Sequence, residues 1–214
     1  MENEEKMSIE RSLEIISEAI EQGRHDVERN AGTPMIIWGV QSAVTGVIIF
    51  ALWSLTGKPL WNCLWFAMCA IGWGIYGYIR RQRIYSARPT SYVWKMIRWV
   101  WTVFGILAVV TAVIGSFSYD RSVYGATLPI TAVMILMLMF ASAITAYVLK
   151  SNTYGVFIGS NLILMNNALM YPGPYEPLML ALSAVTLLII PGILINRQAR
   201  MYDRKNKHEI NSDN

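Results

Sequence analysis

The run GATLPITAVMILMLMFASAITAYVL, Gly125 to Leu149, contains no Asp, Glu, Lys, Arg or His. A helix needs about 20 apolar residues to cross the roughly 30 Å hydrocarbon core of a bilayer, and this run is longer than that. A helix on the surface of a soluble protein keeps one polar face in water, which this run lacks. The stretch therefore predicts a membrane-spanning helix.

Five further charge-free runs of similar character occur in the chain, in which 54% of the residues are hydrophobic. Together they predict an all-α integral membrane protein with a six-helix transmembrane bundle in residues 34–195. Residues 1–33 are expected to form a cytoplasmic acidic amphipathic helix, and residues 196–214 a basic, partly disordered cytoplasmic tail. The predicted spans lie at about 34–55, 60–79, 99–119, 125–149, 154–171 and 178–195.

The lysines and arginines predict the orientation of these spans. Sixteen of the 18 fall in alternate connections and in the two tails, while Lys58 and Arg121 alone fall on the opposite side. Short cytoplasmic connections hold the positive excess, so both termini are expected in the cytoplasm and the bundle in the cytoplasmic (inner) membrane. The net charge of +4 then reflects orientation, and no direct binding of nucleic acid is expected.

The connection between the second and third predicted spans mixes positive and aromatic side chains. Residues 80–98 include no acid, and Tyr85, Tyr92 and Trp94 lie among the cations. Such a mixture favours a lipid headgroup boundary, although it also suits stacking on RNA. Because the adjacent spans make lipid phosphates the nearest anions, we predict membrane lipids as partners, anchored by Arg80, Arg81, Arg83, Arg88, Lys95 and Arg98.

The N-terminal residues 8–30 have the pattern of an amphipathic helix, which the stretch Gly32–Pro34 is expected to end. Residues 1–33 carry four basic and nine acidic side chains, so the negative inner leaflet should repel this helix. Its apolar seam therefore needs a protein surface, which is the basic segment 80–98, another subunit of a homo-oligomer, or a cytoplasmic regulatory protein. The seam consists of Ile9, Leu13, Ile16 and Ile20.

Small residues at helical spacing indicate where membrane helices approach each other closely. Such a seam occurs in each of the first three predicted spans, and in the first it consists of Gly39, Ser42 and Gly46. We expect these three seams to meet one another. The fifth span has a G-x-x-x-G pair, Gly155 and Gly159, which is also predicted to pack against a helix. The same prediction applies to Gly74, Gly77, Gly105 and Gly115.

Three asparagines interrupt the fifth span in the stretch SNLILMNNALMYPGP, Ser160 to Pro174. Around a helix Asn166 shares the face of the G-x-x-x-G pair, Asn167 clusters with Ser160, and Asn161 stands apart. An unpaired amide in hydrocarbon costs several kcal/mol, so the fifth span is expected to be the most enclosed helix of the bundle.

Two interpretations of these amides remain open. They pack against one another and against hydroxyl groups of neighbouring helices, or they line a polar cavity in the outer half of the membrane. In the second case the segment YPGPYEP, residues 171–177, forms a rigid aromatic lid that suits a neutral or lipidic ligand. The candidate ligand or packing site comprises Ser160, Asn161, Asn166, Asn167, Tyr171 and Tyr175.

Signals for catalysis, cofactors and metals are missing from the sequence. The carboxylates are confined to tails and rims, where Asp120 and Glu176 are isolated, and the two histidines lie in opposite tails. Cys63 and Cys69 point about 120° apart on one helix and are expected to be buried as small apolar residues. The sequence therefore predicts no enzyme, no cofactor and no metal site, with a lipid-directed enzyme as the one enzymatic alternative.

The stretches MSIERSLEIISEAIEQ, from Met7, and RNAGTPMIIWG, ending at Gly39, resemble a family of uncharacterised multi-span bacterial inner-membrane proteins with an N-terminal amphipathic helix. Members of that family are often encoded beside helix-turn-helix regulators. The resemblance implies a membrane partner for a transcription factor, and it carries over no functional residues.

Two classes of function follow from these features. The first is a non-enzymatic interaction or sensor protein, whose N-terminal helix docks a cytoplasmic partner or another subunit. The second is a channel or carrier for a small neutral or amphiphilic solute, which uses an asparagine-lined cavity at the fifth span. The missing ionisable groups at membrane depth disfavour coupling to protons or metal ions.

Overall fold

The computed structural model describes residues 2–83, 92–118, 129–149, 153–198 and 200–201, and within the first, second, third and fifth helices it describes some residues by their backbone alone. The described part is all-α. Helix α6 as a whole covers Glu176–Gln198 and contains a π-helical turn at Val185–Ile189 after an α-helical segment Glu176–Ala184. The other elements are α1 (Glu2–Thr56), a short 3₁₀ helix (Pro59–Cys63), α2 (Leu64–Arg83), α3 (Tyr92–Ser118), α4 (Ile130–Val148) and α5 (Thr153–Met170).

Four of these helices are long and apolar enough to cross a membrane, which confirms an all-α protein of membrane-spanning character. They are Gly32–Thr56, Lys95–Gly115, Ile130–Val148 and Glu176–Gln198. The apolar parts of the remaining two, Pro59–Ile75 and Gly155–Met170, are shorter. At 1.5 Å per residue a 16-residue helix reaches only about 24 Å, less than the roughly 30 Å hydrocarbon core.

Helix α1 continues without interruption through Gly32, Thr33 and Pro34, so the predicted helix end at this point is wrong. Proline removes a single backbone hydrogen bond, and membrane helices tolerate that loss where neighbouring helices support the segment. Here α6 gives that support. A Cβ added at Gly32 would meet the side chain of Asn196 and the carbonyl oxygen of Gly192.

Close contact between α1 and α6 depends on three glycines spaced seven residues apart. A Cβ at Gly39 would lie 2.6 Å from Cγ1 of Ile189, and one at Gly46 would lie 2.5 Å from the carbonyl oxygen of Pro177. Together with Gly32 these contacts run from the start of α6 to its end, so the two helices are antiparallel. A repeat of seven keeps one stripe of a helix against its neighbour over several turns.

The expected meeting of the small-residue seams of the first three spans is therefore wrong for the first span. Its glycines contact α6, and only Ser42 contacts α2, where its Oγ lies 3.6 Å from Sδ of Met68. The close approach between α1 and α2 instead uses Gly72, whose added Cβ would lie 2.5 Å from the ring of Trp38. The sequence does contain a signal for the contact between α1 and α6. Gly32 is the first member of the seven-residue glycine repeat, although the same glycine also matches the pattern of a helix end.

The glycines predicted to pack on α2, α3 and α5 behave differently from one another. Gly115 contacts Ile130 at the start of α4. Within the described part of this single chain, and apart from the neighbouring residues and backbone of the same helix, an added Cβ would have no heavy atom within 4 Å at Gly74, Gly77, Gly105, Gly155 or Gly159. The close helix contact predicted at these five glycines is therefore not found within the described part of the chain.

The buried core lies around α4 and the adjoining face of α6. Eight residues of α4 are buried, with Ile135 and Ser142 fully so. Among the described side chains of α5, only Asn161 and Ala168 are buried. The expectation that the fifth span is the most enclosed helix is wrong, because one broad face of α5 is exposed.

Candidate functional site in the helix core

Asn161 is the asparagine that the fold encloses. Its side chain is fully buried, and its Nδ2 donates to the carbonyl oxygen of Phe157 and to Oγ1 of Thr186, both at 2.8 Å. The Thr186 hydroxyl in turn lies 3.1 Å and 3.2 Å from the carbonyl oxygens of Leu182 and Ser183. One amide thus connects α5 to α6 through a hydroxyl that is itself bonded to the backbone.

This connection reaches α6 at the π-helical turn. Thr186 is the second residue of Val185–Ile189, and the N–H of Ile190 donates to the carbonyl oxygen of Val185, five residues earlier. Such turns are rare in α-helices and are found frequently at functional sites. Asn161 therefore bonds to α6 at the point where the backbone hydrogen bonds of α6 change from the α-helical to the π-helical pattern.

Further buried polar atoms lie on the helices around Asn161. Ser142 on α4 and Ser183 on α6 are both fully buried. The Oγ atoms of both serines and Oδ1 of Asn161 have no hydrogen-bond partner among the described residues, and neither does Oε1 of Gln41 on α1. Buried polar atoms in folded proteins almost always have a partner, so four in one small domain require an explanation.

A second polar contact, between α3 and α4, is satisfied. Nε1 of Trp101 donates to Oγ1 of Thr145 at 3.2 Å, and that hydroxyl donates to the carbonyl oxygen of Ala141 at 2.9 Å. The Trp101 ring also packs edge-on against Phe104 with centroids 5.7 Å apart. This contact positions α3 against the buried face of α4.

The structure does not bring the three asparagines together. Asn166 is exposed on the same open face as the G-x-x-x-G pair, and Asn167 is half-buried and bonds its own helix at the carbonyl oxygen of Ile163. Ser160 is exposed and donates to the carbonyl oxygen of Phe157. Helical geometry places Asn161 on a different face from Asn166 and Asn167. Of these three asparagines, only Asn161 is buried in the core.

The lid predicted from YPGPYEP is a turn held by Glu176. The expectation that Glu176 is isolated is wrong, because both of its carboxylate oxygens accept hydrogen bonds. Its Oε1 accepts from the N–H of Gly173 at 2.9 Å, and its Oε2 accepts from the hydroxyl of Thr131 at 2.8 Å. Gly173 has φ of +136°, which suits glycine. Tyr171 and Tyr175 are exposed, and the latter ring lies 5.5 Å from that of Phe50. The turn therefore ties the start of α6 to α4.

The chain matches no family model, no curated protein and no solved structure. Its functional interpretation therefore rests on the geometry of its own residues. The polar residues around Asn161, which are Ser142, Ser183 and Thr186, contribute only hydroxyl and carbonyl groups beside its amide. Such groups suit hydrogen bonding to a small neutral molecule. Among the described residues no group of three or more His, Cys, Asp or Glu could hold a metal ion.

The remaining predicted sites are described in part. Arg81, Lys95 and Arg98 are exposed. Cys63 is exposed and Cys69 half-buried, so the expected burial of both thiols is wrong for Cys63. Outside the described residues lie Arg88 and most of the tail 196–214, together with the side chains of Arg80, Arg83, Ile9, Leu13, Ile16 and Ile20.

Proposed function

We propose that this protein is a membrane-embedded interaction or sensor protein, whose N-terminal helix docks a cytoplasmic regulatory protein or another subunit. The observation that carries the proposal is the continuity of α1 from Glu2 to Thr56. The acidic segment and the first span belong to one helix, without a flexible linker between them. Anything bound to the segment is thus connected directly to the bundle.

The dimensions of α1 support this role. At 1.5 Å per residue, residues 2–31 extend about 45 Å beyond Gly32, where the contact with α6 begins. The described side chains in that part are exposed, and they include the apolar Ile15 at 59%. A long helix fixed at its membrane end by α6 holds a partner at a defined position.

Charge favours a protein as the occupant of this helix. Residues 1–33 have a net charge of −5, so a negatively charged leaflet repels them. An apolar seam without a lipid surface is covered by another protein surface, as in helix-in-groove or coiled-coil recognition. The resemblance of residues 7–39 to an uncharacterised inner-membrane family, whose members are often encoded beside helix-turn-helix regulators, supports the same class of partner.

We further propose that all six helices cross the inner membrane, with both termini cytoplasmic. Exposed cations support this arrangement, because Arg81 and Lys95 lie near the end of the bundle where α1 enters, as does Arg197 at the end of α6. Arg81 at this end extends α2, one of the two shorter apolar helices, to the headgroup region, where the cations also bind membrane lipids.

Cysteine labelling tests the six-span topology. In a Cys63→Ala, Cys69→Ala background, we expect Lys58→Cys to react with a membrane-impermeant maleimide added to intact spheroplasts. Lys95→Cys should react only after the membrane is opened, because α2 separates the two positions by one crossing. Equal labelling of both positions in intact spheroplasts contradicts the crossing of α2 and favours four spans.

Photo-crosslinking tests the docking function. We expect p-benzoylphenylalanine in place of Leu13, on the seam, to form a crosslinked product in native membranes. The matched control is the same replacement at Arg11, about 160° away around the helix, which should give none. A product at twice the mass of the chain identifies a second subunit, and another mass identifies a different partner. Absence of product at both positions, or equal product from both, rejects the proposal.

The alternative function of a channel or carrier gains no support from the positions of the amides. Such a route needs polar groups along one continuous path. Asn161 lies in the core, whereas Asn166 lies on the exposed face of α5.

A further inference from the structure

Three fully buried polar side chains on α4, α5 and α6 carry oxygen atoms without a hydrogen-bond partner among the described residues. They are Ser142, Asn161 and Ser183. Burying a polar atom away from water without a partner is costly, and more so in a protein surrounded by lipid. Three such atoms on mutually contacting helices indicate a shared partner.

The three side chains lie at similar depth in the bundle. Ser142 precedes the end of α4 at Val148 by six residues, and Asn161 follows the start of α5 at Thr153 by eight, so both lie about 9–12 Å from that end of their antiparallel helices. Ser183 is within one turn of Thr186, to which Asn161 bonds. Along the bundle axis, the two serines therefore lie within about one helical turn of the level of Asn161.

The chemistry of these groups selects the ligand. An amide oxygen accepts hydrogen bonds, and a serine hydroxyl both donates and accepts. A bound cation would lack a compensating charge, because the predicted spans contain no ionisable acid or base, and an uncompensated ion at membrane depth is costly. A neutral molecule that donates and accepts at once fits all three groups.

We propose that Ser142, Asn161 and Ser183 form a binding site for internal water, in which one or two water molecules bridge α4, α5 and α6 beside the π-helical turn. Water donates to Oδ1 of Asn161 and exchanges hydrogen bonds with the two hydroxyls. Buried waters in proteins make about three such bonds each, which matches the groups available. The site is independent of the docking function of α1.

This site is tested by whether alanine substitutions of the two serines lower or raise the apparent Tm. If water satisfies the serine hydroxyls, Ser142→Ala and Ser183→Ala remove hydrogen bonds, and each lowers the apparent Tm in detergent by about 2–4 °C or more. If the hydroxyls are truly unbonded, each substitution removes an unsatisfied group and raises the Tm, which overturns the proposal. The matched control is Ser160→Ala, at an exposed serine, for which the Tm is expected to stay within about 1 °C.

A second measurement detects the water directly. In ¹⁵N-labelled protein in bilayers of deuterated lipid, magnetisation from water should reach the side-chain amide of Asn161 early, and Asn161→Leu identifies the signal by its loss. The early transfer should disappear in the double variant Ser142→Ala, Ser183→Ala. Transfer to Asn161 as slow as that to the backbone amide of the fully buried Ile135 overturns the proposal, whatever the melting data show.

Discussion

Replacing Gly46 by leucine is expected to separate α1 from α6 and to lower the stability of the bundle by about 3 kcal/mol. The first carbon of any side chain at this position would lie 2.5 Å from the carbonyl oxygen of Pro177 and 2.8 Å from Cβ of Ala181. Neither atom belongs to a flexible side chain that can move away. The apparent Tm in detergent should fall by roughly 6–12 °C.

Gly155→Leu is the matched control for this substitution. Within the described chain, an added Cβ at Gly155 has no heavy atom within 4 Å beyond the neighbouring residues and backbone of its own helix, and leucine favours a helix more than glycine does. The Tm of a monomer should therefore stay within about 2 °C. A loss of stability as large as that of Gly46→Leu contradicts the described packing. A loss of oligomer with an unchanged monomer instead supports a subunit contact through the open face of α5.

Replacing Asn161 by leucine should lower stability, whereas replacing Asn166 by leucine should not. Asn161→Leu removes the hydrogen bond to Thr186 from a fully buried position and is expected to cost about 1–3 kcal/mol. Asn166→Leu replaces an exposed amide on a helix of membrane-spanning character by an apolar side chain, so it should be neutral or stabilising. Equilibrium unfolding in detergent micelles measures both.

The outcome also separates the interpretations of the fifth span. If Asn166→Leu proves more destabilising than Asn161→Leu, then Asn166 lies in a cavity or an interface and the described exposure of this face is wrong. The expected order instead identifies Asn161 as the amide that holds α5 to α6, and leaves the exposed face to lipid or to another subunit.

The elements of this fold follow from local features of the sequence. The charge-free run Gly125–Leu149 predicts a spanning helix, and α4 occupies most of it, beginning at Ile130 after Pro129. The end predicted at Gly32–Pro34 failed because a rule for isolated helices does not include the support that α6 gives at Gly192 and Asn196. Local signals predict where helices form more reliably than where they stop.

The candidate site was predicted only in part. Helical geometry correctly separated Asn161 from Asn166 and Asn167, but it did not say which of the three faces entered the core. Thr186, the partner of Asn161, had no distinguishing signal in the sixth span. The role of Glu176 depends on Thr131, 45 residues away, which only tertiary contact reveals.

The sequence by itself determined that the protein is helical and of membrane-spanning character, since long charge-free runs have few other physical explanations. Tertiary structure alone decided which glycines are tightly packed and which asparagine is buried. The physical reason is that lipid and protein interior are similarly apolar. A soluble helix reveals its inner face by an apolar stripe, whereas a helix that is apolar all around does not.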